Sequence, residues 1–452
     1  MVSIEPSRQL SSQAILPDNF ETHQYKIRWC YLLVACLFHI CENFSFLTFA
    51  SVANYTDQFY QTPITTTLGA IFLATASVCS PLFIYLSSKY GLRWIILTGV
   101  ISVCLGTGIR CLSLVTNGQT STVLVCIGQA MAAIGMPIAT FLPPKVASVW
   151  FGNNQRALAT SLVAVSAPLG VALINVLSPA MVQQKDDIVQ LNLMVFALCV
   201  FTLVMAFVTV RRSSPILPPS KSASQAALPF LEGMKRCLKN RSFLVLFFCL
   251  GGGIGVAQTL ATTMEQTLCV HGYSNQFSGL CVVLMMLSGV IFGTLGGILA
   301  DKTKLFDEIL KICLPASSLC GIIFTIVGTH YENANGLLLV FALLFGSFGT
   351  VYYAIGMEMS AECTYPTDET TTAGLINLSG TIQGFIFVLL FKTFGQPIRG
   401  QSLVSQVCSV GGQLSAFDAR ISVLVLNAIG VMQVVVFVSC FRPVYNRIAI
   451  EQ

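Results

Sequence analysis

Apolar positions in this chain come neither in alternation nor as a one-sided helical stripe, but in long unbroken runs. Twelve of them stand at 29–53, 64–86, 94–116, 122–149, 157–182, 189–210, 242–266, 276–300, 309–329, 336–358, 371–394 and 421–441. Each can cross a hydrocarbon layer of roughly 30 Å as a helix. Membrane strands would be about half as long and would alternate. The runs fall six and six around one polar stretch, RRSSPILPPSKSASQAALPFLEGMKRCLKNR from Arg211 to Arg241, which is Pro- and Ser-rich and basic. The predicted organisation is a disordered cytosolic tail (1–25), a six-helix bundle (26–210), a cytosolic linker (211–241), a second six-helix bundle (242–445) and a short cytosolic tail (446–452).

Composition removes the soluble alternatives. The 452 residues are 54% hydrophobic and 10% charged, against about 25% charged in a soluble domain. The net charge of +5 reports topology rather than nucleic acid, because Lys and Arg accumulate on the cytosolic side of a membrane protein. Only Arg110, Lys185, Lys392, Arg399 and Arg420 fall outside if both termini are cytosolic, so that orientation is predicted, in the plasma membrane. The acidic loop 359–370 is an exception to the rule. Residues 1–25 are polar and the first apolar run is full length, so no cleavable leader is expected. The 17 cysteines include no CxxC pair and lie mostly in apolar runs, as small buried hydrophobes. Cys269 and Cys408, both predicted outside, either form a disulfide, which that compartment permits, or stay thiols.

Within the linker, Phe230, Leu231, Met234, Cys237 and Leu238 share one helical face, with Lys235, Arg236 and Lys239 opposite. That pattern suits either a short helix on the anionic inner leaflet or an ordinary topology signal. Gly289, Gly293 and Gly297 form a small-residue ridge for close helix contact. Pro81, Pro137, Pro143, Pro144, Pro168, Pro179 and Pro315 predict kinks, tolerated where helices pack on protein or line a cavity.

Ionisable side chains inside a span are costly and normally face the protein interior. Glu42 lies just past the middle of the first run, Glu265 near the outer end of the seventh and Glu358 near the inner end of the tenth. Arg110 is the cation at a depth where it can meet a carboxylate. Glu42 reads either as a solute or proton site or as a structural hydrogen bond. His39 reads as a packed, hydrogen-bonded residue. There is no HExxH, P-loop or GxSxG pattern, so neither an enzyme nor a cofactor is expected. Asn54-Tyr55-Thr56 is a glycosylation sequon close to the membrane.

Two loops resemble a known superfamily. Lys89-Tyr90-Gly91-Leu92-Arg93 and Gly297-Ile298-Leu299-Ala300-Asp301-Lys302-Thr303-Lys304 occupy equivalent places in the two halves, and both resemble the loop motif of the major facilitator superfamily. The resemblance implies a gating role for Gly91, Arg93 and Asp301. Ser88 stands where the family has an acidic residue, which weakens the charge latch in the first half. The strings Ala147-Ser148-Val149-Trp150-Phe151-Gly152, Pro168-Leu169-Gly170-Val171 and Asn175-Val176-Leu177-Ser178-Pro179 are similar to the feline leukaemia virus subgroup C receptor-related transporters, solute carrier family 49. Glu265-Gln266, Cys269, Gly272, Phe277-Ser278-Gly279-Leu280-Cys281, Glu358, Glu362-Cys363 and Pro366 narrow the resemblance to one branch.

That resemblance implies twelve helices in two six-helix bundles and alternating access around a midplane cavity. Its better-known members are linked to choline, ethanolamine and haem. In them a first-span Trp and a seventh-span Tyr cage a quaternary ammonium, as ring faces attract a desolvated cation. Here the corresponding positions are Phe46 and Gln258, and the family's cavity Gln positions are Pro168 and Thr381. With the cage reduced, Glu42 supplies a formal charge that still favours a cationic or polar amine. The expected cavity or gate residues are Glu42, Asn43, Phe46, Gln129, Gln258, Glu265, Asn377 and Gln383. The expected partners are a small-molecule solute and the lipid bilayer, with the chain acting as a monomer and without nucleic acid. The alternative on the same fold is a non-transporting receptor or sensor.

Overall fold

The computed structural model describes residues 25–217, 230–365, 367, 369–397 and 417–443. Among them, twelve helices are long and apolar enough to cross a membrane: Arg28–Tyr60, Thr65–Ser87, Leu92–Ser113, Gln119–Trp150, Leu158–Met181, Lys185–Thr209, Arg241–His271, Asn275–Ala300, Phe306–His330, Asn335–Thr364, Thr370–Phe394 and Arg420–Cys440. They are called here the first to twelfth spans, and the end of the molecule that carries the linker is the linker face. The only strands among the described residues are the paired Gln396–Pro397 and Phe417–Asp418.

Two spans are interrupted, and sequence reading shows why in one case only. The fourth breaks at Ile134, between helices Gln119–Ala133 and Gly135–Trp150. Pro137 has no N–H to give to the carbonyl one turn earlier, so the ladder cannot run through. The first span, expected to end at 53, runs on to Tyr60 through a break with no proline in it. Its main helix ends at Leu47, a 3₁₀ turn covers Ala50–Val52 and helix resumes over Ala53–Tyr60.

Packing follows the six-and-six pattern. Buried side chains from Tyr31 to Val210 form one apolar core, joined from the other half by Val388. A second core runs from Cys237 to Phe441 and a third from Met264 to Ala342. The fold is thus all-helical, with two six-helix bundles. Small residues let spans approach both within the second bundle and between the two. A Cβ on Gly293 would stand 2.8 Å from Thr350, and one on Gly296 2.7 Å from Val351. Gly289 also abuts Thr350, whereas Gly297, expected on the same ridge, has nothing within 4 Å. At the seam, Gly69 meets Thr262, Gly374 meets Ile84, Gly384 meets Leu73 and Gly279 meets Asn175. Those contacts join the second span to the seventh and eleventh, and the fifth to the eighth.

The linker ends in a helix over Phe230–Lys239. Cys237 is fully buried and Met234 packs on both main cores, but Leu231 and Leu238 remain about half exposed. Gly233 lies against Thr367. The docked face is therefore narrower than the apolar face read from sequence, and the side chain of Phe230 lies outside the described residues. Asn240 then starts the seventh span by accepting Phe243 N at 3.2 Å and donating to Cys363 O at 2.7 Å.

Candidate functional site

The break in the first span exposes backbone that must find other partners. The α-helical ladder closes with Thr48 N on Phe44 O at 2.9 Å. The next carbonyl, Ser45 O, is taken by Arg110 Nη1 at 3.0 Å and Gln129 Nε2 at 3.3 Å. Thr48 O accepts from Ser178 at 3.2 Å. Arg110 is fully buried, donates from Nη2 and Nε to Asn192 Oδ1 at 2.8 and 3.2 Å, and lies 4.4 Å from the Phe49 ring centre. The expectation that Arg110 would meet a carboxylate is not met. Amide and carbonyl oxygens with one ring face hold the cation, because the nearest need at that depth is the freed first-span backbone. Gln129, expected in the cavity, is buried and spends both its polar atoms in this brace: Oε1 accepts from Arg110 Nη1 at 3.3 Å. Asn192 was not singled out in the sequence, where it looks like any isolated amide in an apolar run.

Just before the break stand the first-span candidates. Glu42 is buried at 5% exposure, and no hydrogen bond or ion pair reaches its carboxyl among the described residues. Asn43 donates to His39 O at 2.9 Å and packs against Gly170 of the fifth span. Phe46 stacks on Phe72 of the second span, with centroids 4.8 Å apart. His39 bonds Ala139 O through Nε2 at 2.5 Å and leaves Nδ1 without a partner, so it packs as expected.

At the face opposite the linker, polar side chains tie the halves together. Thr66 donates to Gln266 at 2.9 Å, Asn275 to Asn54 at 2.9 Å and Lys392 to Thr67 at 2.7 Å. Glu265 is 1% exposed, lies close to Asn54 N and Asp57 and leaves Oε1 unpaired. Asp57 is held by the start of the second span, accepting from Ile64 N, Thr65 N and Thr65 Oγ1 at 3.0, 2.9 and 2.6 Å. Sequence reading missed Asp57, because the first span was ended at 53 and Asp57 looked like a loop residue. Cys269, nearby, is disulfide-bonded; Cys408 lies outside the described residues. We expect Asn54 to carry no glycan, since its Oδ1 is bonded to Asn275 within this closure. Glycosidase treatment should leave the mobility of the wild-type protein unchanged, and the untreated protein should run with Asn54→Gln.

The second bundle holds a chamber of about 290 Å³, lined by the seventh to tenth and twelfth spans with Phe391 of the eleventh. Gln258 lines it, with its buried Oε1 unpartnered and 2.7 Å from where a Cβ on Gly384 would stand. Tyr353, not anticipated from sequence, lines the chamber near the Asn377 side chain. Asn377 also donates to Ala373 O at 2.9 Å. Gln383 donates to Phe248 O and Ser379 Oγ, both at 3.0 Å, and accepts from Gln433 at 2.9 Å. It therefore acts as a strut between the seventh, eleventh and twelfth spans in this conformation.

On the linker face, Gly91 abuts Ser213, leaving no room for a Cβ, and Arg93 Nη1 donates to Arg211 O at 2.8 Å. The loop motif thus grips the end of the sixth span. The side chains of Ser88 and Asp301 lie outside the described residues, so the charge latch expected at Asp301 does too.

The profile of the Major Facilitator Superfamily matches residues 32–388. The chain is 33% identical to solute carrier family 49 member A3 of Danio rerio, over 99% of this chain and 95% of that one. The chain belongs to the major facilitator superfamily, in its solute carrier family 49. It is 27% identical to the human choline/ethanolamine transporter FLVCR2, over 86% of this chain and 77% of that protein. The xylose transporter XylE of E. coli, in a partially occluded inward-open conformation, superposes with a TM-score of 0.66 at 10% identity, over 93% of this chain and 99% of that one. As a major facilitator transporter the chain is an integral multi-pass membrane protein that moves a small molecule. The hydrogen bonds among Thr66, Gln266, Asn54, Asn275, Lys392 and Thr67 lie across the two bundles.

Proposed function

We propose that this chain carries a small amine, of which choline and ethanolamine are the first to try, by alternating access of residues 26–210 against 242–445. The supporting observation is Glu42: a carboxyl buried near the middle of the first span, ahead of the braced break in the helix, with no partner among the described residues. A buried anion without a counter-ion is costly unless a proton or a cationic ligand neutralises it. An ammonium solute does so, and Phe46, stacked on Phe72, offers an aromatic wall beside it. The naming of relatives as choline/ethanolamine transporters agrees with that chemistry. In the same reading both termini and the linker are cytosolic and the membrane is the plasma membrane. The disulfide at Cys269, on the face opposite the linker, supports that orientation, because disulfides persist outside the reducing cytosol.

The test is uptake into cells expressing the chain, compared with vector alone, of labelled choline, ethanolamine and haem. Uptake of the amines above vector at submillimolar concentration is expected. If no amine enters above vector while the protein is at the cell surface, the reading is wrong and the receptor alternative takes its place.

A further inference from the structure

The chamber in the second bundle has walls unlike those around Glu42. Among the described residues lining it there is no Asp, Glu, Lys, Arg or His. Many of its hydroxyls and amides are spent on the protein itself; Gln258 Oε1 and the Tyr352 hydroxyl are buried without a partner among the described residues. Thr263, Thr267 and Thr325 each donate to the carbonyl four residues earlier at 2.8 Å, and Asn427 donates to Thr325 at 3.0 Å. What remains is an apolar surface of about 290 Å³, near the lower end of small-molecule sites. Glycines keep it open. A Cβ on Gly430 would meet only Ser318 Oγ at 3.7 Å, and one on Gly253 only the Tyr352 ring at 3.7 and 4.0 Å.

The chamber also reaches the seam between the bundles. Gln258, which lines it, has its Oε1 beside Gly384, and Gly384 lies 3.4 Å (as a built Cβ) from Leu73 of the first half. That buried oxygen has no donor among the described residues, an arrangement that a ligand donor would relieve. A solute that presents an N–H or O–H at the seam and an uncharged hydrocarbon part behind it satisfies both features. The chamber has no counter-charge for a second ionic group.

We propose that this chamber receives the apolar body of the transported solute, so that the solute class is an amphipathic amine with a hydrocarbon substituent rather than a bare quaternary or primary ammonium. This rests on the transport reading above for the word transported, but the binding site stands on its own walls. Burial of each added methylene is worth about 0.8 kcal/mol, close to fourfold in affinity when fully realised.

The experiment uses the purified full-length protein in lipid nanodiscs and a series of N-alkyl-N,N-dimethylethanolammonium ions from methyl, which is choline, to hexyl. Binding is measured by displacement and by thermal stabilisation. Wild type is expected to tighten by about two- to fourfold per methylene. In Gly253→Leu the added side chain occupies the chamber, and affinity should become independent of chain length. Gly430→Leu fills the same space from the opposite wall and serves if the first variant does not fold. A flat series in wild type, or a slope that survives filling in both variants, overturns the proposal. A slope that filling erases, without uptake of any member of the series into cells, keeps the site and overturns transport instead.

Discussion

Arg110→Met should lower the stability of the folded protein by about 3 kcal/mol. The substitution leaves Asn192 Oδ1 and Gln129 Oε1 buried without the donor they now have, and leaves Ser45 O with Gln129 alone. An orphaned buried acceptor costs about 1–3 kcal/mol, and the lost contact with Phe49 adds up to about 2 kcal/mol at a desolvated site. Against this, the cation no longer has to be held out of water, a saving of several kcal/mol. The losses prevail because the acceptors stay behind when the donor leaves. The same reasoning gives a cycle: Asn192→Leu in the Arg110→Met background removes one stranded acceptor and should recover about 1 kcal/mol, although either change alone destabilises. Arg110→Lys keeps the charge but loses the fork that reaches Ser45 O and Asn192 together, and should fall between. Thermal unfolding of wild type and the four variants in one detergent decides it. An Arg110→Met protein that melts with wild type would show that the break in the first span needs no brace.

How far the sequence could be read depends on the range of the interaction. Run length against bilayer thickness is a local property, so the twelve helices and the six-and-six division were legible, and Pro137 fits the break in the fourth span. The break at Thr48–Val52 was not legible. It is held by donors from the third, fourth and fifth spans, and neither Ser45 nor Asn192 differs in sequence from an ordinary helix-interior residue. For the same reason Gln129 looked like a cavity residue. An amide in an apolar run announces that it needs partners, but not whether protein or solute provides them. Glu265 shows the reverse. Its place near a span end was readable, whereas its neighbour Asp57 became visible only once the first helix was seen to extend to Tyr60. The glycines behave similarly, since spacing predicts a ridge but only packing tells that Gly296, and not Gly297, lies on it.

Glu42→Gln should raise the KM for a cationic amine by about 10- to 100-fold and leave uptake of a neutral solute through the same protein within about twofold. The substitution preserves the shape and hydrogen-bonding reach of the side chain and removes only its formal charge. A charge-assisted hydrogen bond is worth about 1.5–3 kcal/mol, which sets that range. Folding should not suffer. No ion pair or hydrogen bond to the carboxyl exists among the described residues, and a neutral amide at a site with 5% exposure is easier to bury than an anion. Glu42→Gln is therefore expected to melt at or above the wild-type temperature while losing amine transport, the opposite of Arg110→Met. That contrast would separate the third-span Arg110 from the first-span Glu42 by role. Arg110 holds the helix in shape through Ser45, and in the proposed function Glu42 is the group that meets the solute. The measurement is concentration-dependent uptake of labelled choline alongside surface expression and thermal unfolding. If KM for every amine stays at the wild-type value, Glu42 has no contact with the solute, and the charge that selects it must lie on another span.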